Sequence, residues 1–195
     1  ASGVQVTGFI HPVHAWREAA LFEAGREEDY FRLRTALAEL FAEQADRAAS
    51  DACVEGGAAV LWDFSGFQDF AVQGAPAPNQ TAPHALFYEP SHYLPHVGQE
   101  MLDRMRGEAG SDLFDPGRFG VRLTPEIAAE TTAAIRERYA DWRGSPDGRE
   151  AASLIEDARA SGAGPEAAPP VFLNRDDWAD LHRAAARLPR RADAG

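Results

Sequence analysis

Hydrophobic positions come first as a short, β-branched run, Val4, Val6, Phe9 and Ile10, closed by Pro12. This predicts a buried strand of an α/β sheet. From residue 15 the apolar spacing changes to the helical period, with one short helix over 15–24 stopped by Gly25 and a long one over about 27–48. Tyr30, Leu33, Leu37, Leu40, Phe41 and Gln44 recur on one side of the long helix, which makes them its expected core stripe, with Glu39, Glu43 and Asp46 on the wet side. A second continuous apolar run, 58–67, reads as a strand that meets Asp63 and Ser65 at its carboxyl end and turns at Gly66. Strand, helical stretch and strand at this separation predict a parallel sheet built by a right-handed crossover.

Residues 68–83 are polar and rich in Gly, Pro and Asn, a loop long enough to wall a site; Asn79 and His84 carry no recognisable spacing. Residues 95–106 follow as a helix: Leu94 caps it, Pro95 suits its first position, Val97, Met101, Leu102 and Met105 share a face, and Gly107 ends it. Residues 107–120 are a turn-rich connector, in which Asp112 and Asp115 lack the further oxygens of a calcium loop. Thr124, Pro125 and Glu126 then start a packing helix with Ile127, Thr131, Ala134, Ile135, Tyr139 and Trp142 on one face and Gly144 at its end. After a polar break at 145–150, residues 151–160 form a helix anchored by Leu154 and Ile155, and 161–170 form a Pro/Gly/Ala-rich linker. A terminal helix capped by Asn174 carries Trp178, Leu181 and Leu188, with Asp176, Asp180 and His182 as a solvated charged face. The organisation expected is an α/β domain over 1–143, a helical extension and linker over 144–170, and a terminal helix over 171–195.

Composition narrows the function more than the fold. The 195 residues carry a net charge of −12, and all 19 basic residues are arginine. An acidic chain repels phosphate backbones, so nucleic acid is not an expected partner. The single cysteine, Cys53, leaves no internal disulfide framework and no multi-cysteine metal site. No run approaches the length of a membrane span, and the first residues show no basic-then-apolar signal. The chain opens on a strand without an initiator methionine, which reads as a fragment or a processed product.

The chemistry concentrates at Glu89-Pro90-Ser91-His92-Tyr93, where a carboxylate stands three residues before a histidine between Pro90 and Pro95. The prolines restrict their neighbours to extended or turn backbone, so Glu89, Ser91 and His92 sit in a held loop before a helix. A carboxylate that orients an imidazole and stabilises its charged form makes it a general base; the bland reading is a loop histidine with a nearby Glu and no task. His11 and His14 occupy the loop after the first strand, where α/β sheets meet their ligands, so either is a candidate site wall. Their His-x-x-His spacing lacks the helical i, i+4 pattern and third ligand of a zinc site. Asp63 is a candidate site residue, an alternative acid for His92, or a turn aspartate that bonds backbone amides. Ser65 lacks the Gly-x-Ser-x-Gly context of an exposed nucleophile.

Glu-Pro-Ser-His-Tyr followed by an amphipathic helix resembles the last sequence block of SGNH (GDSL-type) hydrolases, an Asp-x-x-His block whose histidine is the base of a Ser-His-Asp site. About half of the chain is covered, most clearly 58–107 with the strand ending Trp62-Asp63-Phe64-Ser65-Gly66. The resemblance implies a three-layer α/β sandwich with a parallel sheet, SGNH/flavodoxin-like, present here as its C-terminal part. It implies an esterase or acyltransferase of the bacterial periplasm or cell envelope that acts on an acylated small molecule or polysaccharide without a cofactor. His92 takes the base role and Glu89 stands where the family usually has Asp; beside them His14 and Asp63, at strand ends, and Ser91, in the loop, are the candidate substrate-binding residues. No Gly-Asp-Ser nucleophile block and no Gly-x-Asn-Asp block occurs in the chain. Two other classes stay open: a non-catalytic module that binds carbohydrate or protein in the same cleft, and a metal-assisted hydrolase using His11, His14, Asp63 and His92.

Overall fold

A computed structural model describes residues 5–50, 59–74, 84–108, 110–111, 114–115 and 118–160. Val4, Asn79, Asp112, the linker at 161–170 and the terminal helix with Asn174, Asp176, Trp178, Asp180, Leu181, His182 and Leu188 lie outside the described residues. Within them the protein is a mixed α/β structure, mostly helical, with two small sheets.

Strand β1 (Val6–Ile10) pairs in parallel with β2 (Ala59–Asp63), Ile10 opposite Asp63, across helices α1 (Ala15–Glu23) and α2 (Glu27–Ser50). That is the strand, helix, strand unit expected from the pattern. A strand that the pattern hides, β5 (Val121–Arg122), joins β2 antiparallel, so the order is β1-β2-β5 and β1 is an edge among the described strands. The expectation that β1 is buried fails for that reason. Val6 is 52% and Phe9 46% exposed, since an edge strand next to a single partner lacks cover on one flank.

Side-chain alternation along β2 divides the core. Leu61 packs with Ala38 of α2, Leu123 and Ala128, while Trp62 and Phe64 belong to the cluster of Val97 and Met101, as period-two geometry requires. These last two come from α3 (Pro95–Arg106), which begins after Leu94 with Pro95 in its first turn and ends at Gly107 in the left-handed region, φ 71°. Leu102, expected on its inner face, is exposed.

Helix α4 (Pro125–Gly144) is capped by the Thr124 hydroxyl, which accepts the Ile127 N–H, and buries Ala128, Ile135 and Trp142. Helix α5 (Pro146–Ala160) begins earlier than its apolar anchors suggest. Ser145 accepts the Gly148 N–H and Pro146 opens the helix, so the polar break at 145–150 is an N-terminal cap and first turn. Ile155 packs on the core of α1 and α4, whereas Leu154 is exposed.

The long helix also faces differently from its Leu stripe. Its buried residues are Phe31, Arg34 and Ala38, while Leu33 and Leu40 are exposed. The buried face is set by the two surfaces that α2 must meet at once, β2 and α4. No helix among the described residues is long and apolar enough to cross a membrane.

Candidate functional site

The Glu89 loop is a hairpin. Strand β3 (Phe87–Glu89) pairs antiparallel with β4 (His92–Tyr93), which sets Glu89 directly opposite His92 across the turn at Pro90 and Ser91. Three residues of spacing become a cross-strand pair because Pro90 pre-sets the backbone for the turn's first central position. Glu89 is then engaged through both oxygens: Oε1 pairs with His92 Nδ1, and Oε2 accepts the Ser91 N–H at 2.8 Å. An imidazole that donates from Nδ1 to a carboxylate keeps the lone pair of its neutral form on Nε2, the atom available as a base.

The N–H of His14 donates to the Pro90 carbonyl at 2.8 Å, stapling the loop after β1 onto this turn. His11 is thereby carried beside His92, and burial together with the neighbouring His92 holds its pKa below the usual histidine range. Phe9, His11, Tyr88, Ser91, His92 and Tyr93 line one open cavity of about 580 Å³. Its walls are aromatic or imidazole rings except for the Ser91 hydroxyl. Of its wall, Tyr93 packs against the buried cluster of Leu86, Phe87, Val97 and Met101, and Tyr88 packs with Leu94. His92 itself is 76% exposed by side chain, against 28% for Glu89, so the acid is held by the protein and the base meets solvent.

His14 and Asp63 are not on that wall. His14 is 1% exposed and caps α1: Nδ1 accepts the Trp16 N–H at 3.3 Å, so Nε2 donates to the Gln73 carbonyl at 2.7 Å. Burial lowers its pKa to about 4, against the opposing pull of that carbonyl, with nearby His84 adding to the lowering. The expectation of a site-lining His14 therefore gives way to a structural one, because the cap and the Gln73 contact use both ring nitrogens.

Asp63 lies at the expected sheet end, but alternation turns it to the α2 side with Leu61. There Oδ2 accepts from Arg34 Nε at 2.7 Å, and Oδ1 accepts both the Ser65 N–H at 2.8 Å and the Ser65 hydroxyl at 2.6 Å. Tyr30 O–H lies 2.7 Å from that hydroxyl and donates to it, since the Ser65 proton is given to Asp63. Asp63 and Ser65 are thus tied into a buried network and line a second, smaller cavity of about 230 Å³.

The structure accordingly brings His11, Ser91 and His92 together, with Glu89 behind, and leaves His14 and Asp63 elsewhere. Among the described residues no group of three or more His, Cys, Asp or Glu side chains is placed to hold a metal ion. His11, His14, Asp63 and His92 do not converge. No family model, curated protein or solved structure matches the chain. The aromatic wall of Phe9, Tyr88 and Tyr93, and buried Arg34, carry no site role in the reading of the sequence. Arg34 had a legible signal, a charge at the i+3 position from Phe31 and four before Ala38.

Proposed function

We propose that the Glu89–His92 pair is the acid and base of an ester-cleaving or acyl-transferring site that works on an acylated carbohydrate. The observation that carries this reading is the doubly anchored Glu89 presenting His92 to a ring-walled cavity. In the reaction, a hydroxyl oxygen attacks the acyl carbon while Nε2 of His92 takes its proton. Glu89 steadies the imidazolium, which returns the proton to the departing sugar oxygen. A water then repeats the sequence on the acyl group and releases the acid.

In this proposal the attacking hydroxyl belongs to a serine on a segment preceding residue 1, and the chain described supplies the acid–histidine half of an SGNH-like domain. Supporting the three-layer form of that domain are the parallel β1–β2 pair and the apolar contacts on both faces of β2. The wall of Phe9, Tyr88 and Tyr93 favours a sugar, whose apolar ring faces stack on aromatic side chains while Ser91 and His11 meet its hydroxyls. The same wall also supports a second reading, a site that binds the carbohydrate without turning it over.

The test is hydrolysis of acetylated oligosaccharides by the complete protein. His92→Ala is expected to lower the rate about 10²- to 10⁴-fold, the usual worth of a general base, and Glu89→Gln to lower it less. Undiminished turnover by His92→Ala would remove the base assignment, and saturable oligosaccharide binding without any ester turnover would favour the binding reading.

A further inference from the structure

The smaller cavity sits beside Asp63 at the carboxyl end of β2, and three arginines, Arg34, Arg118 and Arg138, are among the residues that line it. Arg34 is 2% exposed. Its Nε and Nη2 are engaged, with Asp63 and with the Thr131 hydroxyl at 3.1 Å. Its Nη1 is buried and has no hydrogen-bond partner among the described residues, and Nε of Arg138 is in the same condition. A buried, charged donor without an acceptor is among the costlier arrangements in a protein interior.

The acceptors on this wall are already committed. Asp63 takes Arg34 on one oxygen and Ser65 on the other. Gln68 Oε1 takes the Gly120 N–H at 3.3 Å, and Asp69 pairs with Arg118 at the exposed rim. Glu18, which feels the charge of Arg138, is held by the amide N–H groups of Gly66 and Phe67. What remains without a partner among the buried side-chain atoms of this wall is donor capacity, on Arg34 Nη1 and Arg138 Nε. A ligand that completes it brings acceptor oxygens and negative charge.

We propose that this cavity binds a small oxyanion, a carboxylate or phosphate group, with Arg34 Nη1 and Arg138 Nε as its charged donors. Guanidinium N–H groups match the paired oxygens of both. At about 230 Å³, against about 580 Å³ for the cavity at His92, the space takes an acidic group with few attached atoms. Its place at the end of a parallel strand is where α/β sheets meet ligands. The two cavities share no lining residue, so this site is separate from the one at His92.

The experiment is titration of the folded chain with inorganic phosphate and with acetate, each at constant ionic strength, followed by calorimetry and amide chemical shifts. Saturable binding by the unaltered chain, retained in Arg47→Gln on the exposed face of α2 and weakened about tenfold or more in Arg138→Gln, is the expected result. Saturation by phosphate alone or acetate alone identifies which oxyanion the site takes. Should Arg138→Gln fail to fold, Arg138→Lys keeps the charge without the Nε–H and is expected to weaken binding as well. Absence of saturation by both anions, or undiminished binding by the Arg138 variant, overturns the proposal.

Discussion

Arg34 on α2 and Asp63 at the end of β2 form an ion pair with both side chains 2% exposed, Nε to Oδ2 at 2.7 Å. It ties the crossover helix to the sheet where the chain leaves β2, and Ser65 and Tyr30 extend it. Breaking one partner of such a pair strands the other charge in the interior. Asp63→Asn is therefore expected to lower stability by about 3–5 kcal/mol, read as a fall in the urea midpoint with an unchanged slope. A loss below about 1 kcal/mol would mean that Arg34 finds other compensation.

Two buried titratable groups give opposite pH dependences over nearly the same window. Burial raises the Glu18 pKa to about 7, outweighing the Gly66 and Phe67 N–H donors that favour the carboxylate. Between its ordinary 4.5 and about 7 the folded state holds the extra proton, so the Glu18 contribution is complete below pH 4.5 and is lost as pH rises to about 7. For His14, lowered from 6.5 to about 4, the unfolded chain holds the extra proton, so its contribution is complete above 6.5 and is lost as pH falls toward 4. The two contributions offset each other across the shared range. Relative to the unaltered chain, urea melts of Glu18→Gln are expected to show stability climbing more with pH through that range, and those of His14→Asn, which keeps a capping side chain, climbing less. Parallel curves for the two variants would remove this account.

Gly120 adopts φ 72°, and a Cβ there would enter the ring of Phe64, which is fully buried. Gly25 has nearly the same φ, 71°, with nothing near its Cβ position. Alanine at Gly25 is expected to lose only the left-handed backbone preference, about 1 kcal/mol. Alanine at Gly120 is expected to lose about 1–3 kcal/mol more from forced repacking. Equal losses in chemical denaturation would show that Phe64 moves aside freely.

Phe9 is 46% exposed on the edge strand and lines the cavity at His92. Removing a half-exposed ring disturbs the fold little, so Phe9→Ala is expected to keep the urea midpoint close to that of the unaltered chain. If the ring is covered by a sugar on binding, its loss is expected to weaken oligosaccharide affinity about tenfold, the worth of about 1.5 kcal/mol of apolar burial. Unchanged affinity would exclude Phe9 from the binding wall.

Elements whose signal is local were legible in the chain. Pro95 and Gly107 bound α3, Thr124 and Pro125 start α4, and the two apolar runs flanking a helical stretch make a parallel pair, because caps, turn residues and periodicity act within a few residues. The Glu89–His92 pairing was legible for the same reason, since the turn that joins them is two residues long.

What only tertiary structure decided depends on which surface each element meets. The residue pattern put Leu33 and Leu40 inside and β1 under cover, yet α2 turns Arg34 inward and β1 lies at an edge. Val121–Arg122 became a strand only because β2 offered it a free side, two residues being too few for a periodic signal. Asp63 and His11 reach the same end of the sheet, and strand alternation sends them to different cavities. The chain alone determined which side chains could do chemistry, and the direction in which each strand presents its residues determined which of them meet.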